Sequence, residues 1–423
     1  MVIKKIVGIY ALLIGENCYL IGMNTTMASP LTAAAPPVAK TRIVSIDILR
    51  GAVMIIMALD HVRDYFSTAT GDPTDLHSTT PLLFFTRWIT HFCAPTFVFL
   101  SGVSAYIAGR RRTRPELGSF LMTRGAWLVL IEVSLVTLGW TFDPAYHVII
   151  FQVIWAIGWS MIILGLLARL SPALIPFVGV LLVAGHNATD YFPHNGPAWD
   201  ILLTSPPTFI GYAPHRGFFD LYAILPWTGV MLMGYSIGRW FTPDYPAEQR
   251  RKLLLRAGFA VTALFILLRF INGYGDRSPW SVQSSPLYTV LSFVNTTKYP
   301  PSLLYLCMTL GPVLILLALT EKAKGAFVSV IQVYGRVPFF YYVIHLYLIH
   351  FCCAVLFFVS GYGFKDAFDP HSPGPFLFRR SDLGFGLGGV YLVWLFVVFV
   401  LYFPSKWYDR YKRVHNKWWF SYI

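Results

Sequence analysis

Charge is what this chain lacks. Only 13% of its 423 residues are Asp, Glu, Lys or Arg, against 56% hydrophobic ones, and a soluble fold of that length needs more polar surface than this supplies. Cysteine is scarce too. Cys18, Cys93, Cys307, Cys352 and Cys353 show no zinc spacing, and the adjacent pair lies in an apolar run, so buried free thiols are expected. There is no HExxH, no GxSxG elbow and no phosphate-cradling loop, which leaves zinc-protease, acyl-serine and nucleotide-hydrolysing chemistry without support. His345 and His350 stand five apart rather than the four that would stack two ligands on one helical face, and no metal is expected.

What the chain has is one apolar run after another, at a mean hydropathy of +0.58. Segments of about 20 apolar residues suit a hydrocarbon core roughly 30 Å thick, and their backbones must pair internally. Short alternating strands of the kind a barrel needs are not seen. The fold class expected is therefore all-α, a polytopic membrane helix bundle of about ten core transmembrane helices. The spans fall near 43–66, 83–108, 118–140, 147–168, 172–187, 220–241, 253–271, 302–320, 334–360 and 385–404.

Lysine and arginine test that list independently. Arg110, Arg111, Arg112 and Arg114 follow span two, Arg250, Arg251, Lys252 and Arg256 follow span six, and Lys322 and Lys324 follow span eight. Connections 67–82, 141–146 and 188–219 hold almost none, although Arg379 and Arg380 dilute the pattern in the last outer loop. Basic residues mark the cytoplasmic face, so both ends of the core should be cytoplasmic. The net charge of +13 then reads as an affinity for anionic headgroups and not for nucleic acid. Residues 1–40, with Lys4, Lys5 and an interrupted apolar run, resemble a signal peptide in part and are set outside the core as an extension, either an extra helix or a mis-assigned start with Met23 or Met27 as the alternative. The core domain is 41–405, followed by a basic cytoplasmic tail, 406–423.

Ionisable residues at membrane depth cost roughly 2.5 to 3.5 kcal/mol on insertion scales and usually face a cavity, a partner or a substrate path. The first span carries Asp60, His61 and Asp64 towards its outer end; Arg87 and His91 in span two, Lys298 before span eight, and His345 in span nine are expected near the same leaflet. Asp60 and His61 point about 100° apart on a helix, whereas His61 and Asp64 share a face. A carboxylate beside an imidazole fixes its tautomer and raises its basicity, as a general base requires. Interhelical hydrogen bonding without chemistry is the plainer alternative.

Five separated motifs carry a resemblance: Arg42-Ile-Val-Ser-Ile-Asp-Ile-Leu-Arg50-Gly51 through Leu59-Asp60-His61, Arg87 to Gly102, Pro226 to Gly238, Asn295 to Ser302, and Gly335 to His345. Together they resemble bacterial membrane proteins of the heparan-alpha-glucosaminide N-acetyltransferase-like family, within the transmembrane acyltransferase superfamily, over roughly residues 42–404. The resemblance implies an acetyltransferase that takes acetyl-CoA from the cytosolic side and passes the acetyl group to an acceptor on the other face. Arg50-Gly51, Lys298 and His345 match motif positions. His61 falls where the lysosomal enzyme of the family has an active-site Asn. That enzyme's catalytic His lies in the connection after the first core helix, where only His77 stands here. More distant acyltransferases of the superfamily do carry a His near the end of this helix.

The resulting expectation is a membrane-embedded O- or N-acetyltransferase. His61, oriented by Asp60 or Asp64, acts as base, with His91, Lys298 and His345 completing the catalytic set. Arg50, Arg87 and Arg336 hold the cofactor, and His77 and Trp280 contact the substrate. Outer aromatics such as Trp199, Tyr212, Phe218, Phe219 and Tyr274 are either sugar platforms or an interfacial belt. The partners expected are the lipid bilayer and a sugar or cell-envelope glycan, with a homodimer as a compatible assembly, in a bacterial inner membrane. The rival is a proton-coupled transporter using the same Asp and His residues.

Overall fold

In the computed structural model the described residues are 43–69, 71–192, 196–204, 207–214, 216–372, 374–415, 417 and 420. The expected extension, 1–40, lies outside them. Helix α1, Val44–Phe66, is buried along most of its length and packs against much of the bundle, so its charged residues point into protein and not lipid.

The second expected span is two helices, α2 (Pro81–Thr90) and α3 (Cys93–Gly109). Thr80 Oγ1 accepts the Leu83 N–H at 3.3 Å and Pro81 occupies the first turn, a strong start signal. The His91 N–H reaches only as far back as Trp88 O.

Helix α4, Arg114–Ile131, opens on a capping box between Thr113 and Glu116 and runs through a π-turn, Glu132–Val136, into Thr137–Thr141. There follow α5 (Val153–Leu170), α6 (Leu174–Gly185), α7 (Ile224–Ser236), α8 (Ala247–Ile271), α9 (Pro286–Val294), α10 (Leu303–Leu319), α11 (Ala326–Arg336), α12 (Pro338–Val359) and α13 (Leu387–Val414). Among the described residues six helical stretches are long and apolar enough to cross a membrane: Pro81–Gly109, Arg114–Thr141, Val153–Leu170, Ala247–Ile271, Pro338–Val359 and Leu387–Val414. The other four expected segments also hold helices, α1 with five charged residues, and α6, α7 and α10 at 12, 13 and 17 residues. The protein is an all-α polytopic membrane bundle.

Two further features depart from the sequence reading. Span nine is two helices, because Pro338 supplies no N–H and restricts Val337, which sits at φ −130° and ψ 46°. The outer connections also form a small sheet in the order β1-β3-β2. Its strands are β1 (Val148–Phe151), β2 (Thr208–Ala213) and β3 (Arg216–Asp220), with β1 and β3 parallel and β2 antiparallel to β3. The ring of Phe151 stacks on those of Trp155 and Phe218 at 3.9 and 5.1 Å.

Helices meet backbone to backbone at the motif glycines. A Cβ on Gly335 would lie 1.8 Å from Asp47 O, and one on Gly51 2.0 Å from Ile331 O, which fixes α11 on α1; Gly102 and Gly234 join α3 to α7 in the same way. Lipid tails are as apolar as leucine, so close approach does in a bilayer what burial does in water.

Candidate active site

Three cavities lie in series through the bundle. The chamber at the end of the bundle expected to face outward, here called the outer chamber, measures 720 Å³ and is walled by Asp60, His61, Arg63, Arg87, His91 and Lys298, with Trp140, Tyr222 and Phe376 among its aromatics. A neck of 30 Å³ shares Asp60, His61, Gln152, Tyr222 and Lys298 with it. Beyond the neck, and sharing Phe97 and Val153 with it, is a cavity of 210 Å³ lined by Arg50, Arg124, Ser101, Ser104 and mainly apolar side chains. A volume of 30 Å³ holds about two waters.

His61 stands at the neck. Its Nδ1 lies 2.7 Å from His345 Nε2, and His345 Nδ1 lies 3.1 Å from the Tyr341 carbonyl oxygen. A carbonyl only accepts, so His345 Nδ1 carries the proton and, in the neutral ring, Nε2 is an acceptor. His61 Nδ1–H therefore donates to it, an assignment that follows from the hydrogen-bond network. The lone pair of His61 is thereby placed on Nε2, for which no partner is found among the described residues. Trp140 packs edge-on at 4.7 Å between ring centroids and holds the imidazole plane.

The carboxylates have other work. Asp60 bonds the Arg87 guanidinium, and Arg63 Nη2 sits 2.9 Å from Asp60 Oδ1 and 2.7 Å from Asp64 Oδ1. The expected orientation of His61 by Asp60 or Asp64 is thus replaced by orientation through His345. Arg63 engages both carboxylates and Arg87 engages Asp60, and adjacency on a helix keeps Asp60 off the His61 ring. Buried charges of this kind persist only when paired.

Lys298 reaches the chamber and the neck from a turn between α9 and α10, with Nζ 5.0 Å from the Tyr299 ring centroid. His91 lines the chamber, and the Tyr305 hydroxyl donates to its backbone oxygen at 2.7 Å. Asp60, His61, Asp64, Arg87, His91 and Lys298 accordingly meet in one chamber, and His345 touches it through His61.

Other expected residues lie elsewhere. Arg87 belongs to the outer chamber and not to the Arg50 cavity, because its partner Asp60 is there. Arg336 is off both: it bonds Gln332 Oε1 at 2.8 Å and lies 3.4 Å from Asp409 and 3.8 Å from Asp47, so it ties α1, α11 and α13 together. His77 has an exposed side chain beside the chamber mouth and is not one of its walls. Trp280 donates from Nε1 to Arg269 O at 2.7 Å and packs on Phe293, which closes the end of α8. Of the outer aromatics, Phe219 lines the chamber. His350 is held between the carbonyls of Leu377 and Gly139, at 2.7 and 3.1 Å, away from the chamber. Among the described residues no group of three or more His, Cys, Asp or Glu is arranged to hold a metal.

Sequence reasoning missed Arg124, Gln152, Tyr222 and Glu132. An arginine or glutamate inside an apolar span is itself a signal, which Arg124 and Glu132 both gave. Glu132 is fully buried in the π-turn, and its Oε1 accepts the Gln152 N–H at 2.8 Å, tethering the β1 to α5 junction that brings Gln152 to the neck. Tyr222 had no local mark; the β3 to α7 connection delivers it.

The structure is a helical membrane bundle with a polar chamber, a histidine at its throat and a second cavity behind it. The family model described as heparan-alpha-glucosaminide N-acetyltransferase, catalytic, matches residues 42–269, more than half of the chain. The chain belongs to that family and is an acetyltransferase-like multi-pass membrane enzyme. No curated protein matches it.

Proposed function

We propose that the protein moves an acetyl group from acetyl-CoA, presented on the Arg50 side, to an amine or hydroxyl of a sugar or cell-envelope acceptor in the outer chamber. The carrying observation is the series of three cavities, which narrows to 30 Å³ where His61 and Lys298 meet. The 210 Å³ cavity, apolar with Arg50 and Arg124 in its wall, suits the pantetheine arm of the donor and a phosphate beside it. Arg50 also bonds Leu100 O and Ser104 Oγ, which hold its guanidinium in place.

The acceptor's N–H or O–H gives its proton to His61 Nε2 as the nitrogen or oxygen attacks the acetyl carbonyl. His345 accepts from His61 Nδ1–H throughout, so the positive charge formed on His61 is partly delocalised along that bond. The Lys298 ammonium is placed to face the charge developing on the carbonyl oxygen. As the C–S bond breaks, the proton on His61 passes to the departing thiolate, so the base is restored and no covalent acyl-enzyme is required. A bacterial inner membrane, with the basic loops cytoplasmic, fits this direction of transfer.

The decisive assay is thiol release from acetyl-CoA by purified protein in nanodiscs with a panel of amino sugars and hydroxylated glycans. Release that is lost in His61→Ala supports the reading, and wild-type protein that never consumes thioester overturns it. The transporter alternative draws less support, since Asp60 is held by two guanidiniums and is poorly suited to carrying a proton.

A further inference from the structure

Lys298 is brought to the neck by the turn that follows α9, and two side chains that do not themselves line the chamber hold the connection on both sides of that helix. Arg269, in the last turn of α8, is 1% exposed. Its Nε donates to Phe293 O at 2.8 Å, Nη1 to Ser278 O at 2.9 Å, and Nη2 to Ser292 O at 2.9 Å and Asn295 O at 2.7 Å. No carboxylate takes part in these four bonds, so the guanidinium is satisfied by main-chain carbonyls of the connection itself. Asp276 is the complement. Its carboxylate accepts from Ser278 N–H at 2.8 Å, from Thr297 N–H and Oγ1 at 2.8 Å each, and from Ser302 Oγ at 2.6 Å.

A donor-only fork and an acceptor-only carboxylate thus bracket residues 278–302, α9 included, and Thr297, directly before Lys298, is bonded twice to Asp276 and accepts the Ser302 N–H at its carbonyl. We infer that Arg269 and Asp276 are positioning residues for the transfer reaction, acting through this segment to set the Lys298 ammonium at the neck. This rests on the role proposed above for Lys298. Arg269 touches no chamber wall except by way of the Ser278 and Asn295 carbonyls. A planar fork with directed N–H groups meets four carbonyls in fixed directions, which a lysine ammonium cannot do.

The test combines kinetics with chemical labelling of the full-length protein in nanodiscs, on variants Arg269→Ala, Arg269→Lys, Asp276→Asn and Lys298→Ala. In amine labelling read by mass spectrometry, modification of Lys298 is expected to rise at least roughly fivefold in Arg269→Ala, with Lys322 and Lys324 unchanged. In kinetics, Arg269→Ala is expected to lower kcat by about 10² or more, the scale of losing an oxyanion partner, with the KM for acetyl-CoA unchanged. Added to Lys298→Ala, it should cost little more, because both changes remove one effect. Unchanged Lys298 labelling, or independent and multiplicative losses in the double variant, would overturn the inference. If Lys298→Ala leaves kcat intact, the catalytic role of Lys298 fails, and labelling still decides whether Arg269 sets its position. Should Arg269→Ala not fold, Arg269→Lys, which keeps the charge and loses the fork, carries the same two readouts.

Discussion

At the scale of single residues, the proposed chemistry depends on which nitrogen of His61 holds a proton. His345 decides that through the 2.7 Å bond to Nδ1, and its own proton is committed to the Tyr341 carbonyl. Thioester consumption by His61→Ala is expected to fall by about 10² to 10⁴, the usual yield of a positioned base. His345→Ala should cost roughly 10 to 100-fold in kcat with the KM for acetyl-CoA unchanged, as is usual when an orienting partner is lost. Equal activity of His345→Ala and wild type would remove the tautomer argument. Asp60 is a charge-balance residue: Asp60→Ala leaves Arg63 and Arg87 facing each other and is expected to destabilise the protein by about 3 to 5 kcal/mol. Thermal unfolding in nanodiscs measures this, with Asp60→Asn expected to lose less because it keeps an acceptor oxygen.

At the scale of elements, the glycines in the sequence motifs are packing positions first. Gly335→Val puts side-chain atoms where the Asp47 carbonyl stands, so α11 must move off α1, at a cost of about 1 to 3 kcal/mol or more. A variant as stable as wild type would show that the two helices have freedom to separate. The last outer connection is latched as well. Arg379 donates from Nε to Asp64 O and from Nη2 to Ser67 O, at 3.3 and 2.6 Å, so a cation caps the end of α1, where the helix dipole favours it. This explains an arginine that the charge alternation places on the wrong side. In the same loop the Ser381 N–H, with the His371 N–H and the Ser381 hydroxyl, holds the Asp369 carboxyl well below the usual carboxylate range. A depressed folded value stabilises the loop above the ordinary carboxylate pKa of 3.8, and the contribution is lost as pH falls through the lower folded value. Hydrogen exchange of the Ser381 amide should therefore be slow at pH 7 in wild type and fast at pH 7 in Asp369→Asn. Wild type should open only in strong acid.

At the scale of the whole molecule, the arrangement is a passage closed at one point. In right-side-out proteoliposomes, with the Arg50 side inward, acetyl-CoA is expected to support transfer only when enclosed, and the acceptor only when added outside. Transfer with both reactants on one side would contradict the serial cavities. Much of this was legible in the chain: the helical class, most spans and the gathering of Asp60, His61, Asp64, Arg87, His91 and Lys298 follow from ionisable residues at matching depths. Depth along a helix is a count of residues, which sequence supplies directly. Direction around the helix and the path of a connection are not. Arg336, expected beside the cofactor, therefore lies off both cavities, and Gln152 and Tyr222 went unseen.

The sequence by itself determined that the protein is a membrane bundle, because an apolar chain of this length has no other way to satisfy its backbone. It also determined which residues are too costly to bury without purpose. Only the tertiary structure decided their partners. His61 lies 284 positions from His345, and Asp60 meets Arg87 rather than its neighbouring imidazole. Hydrogen bonds are short-ranged and directional, so pairing depends on how helices rotate and dock, and that is settled by side-chain packing from every part of the chain at once.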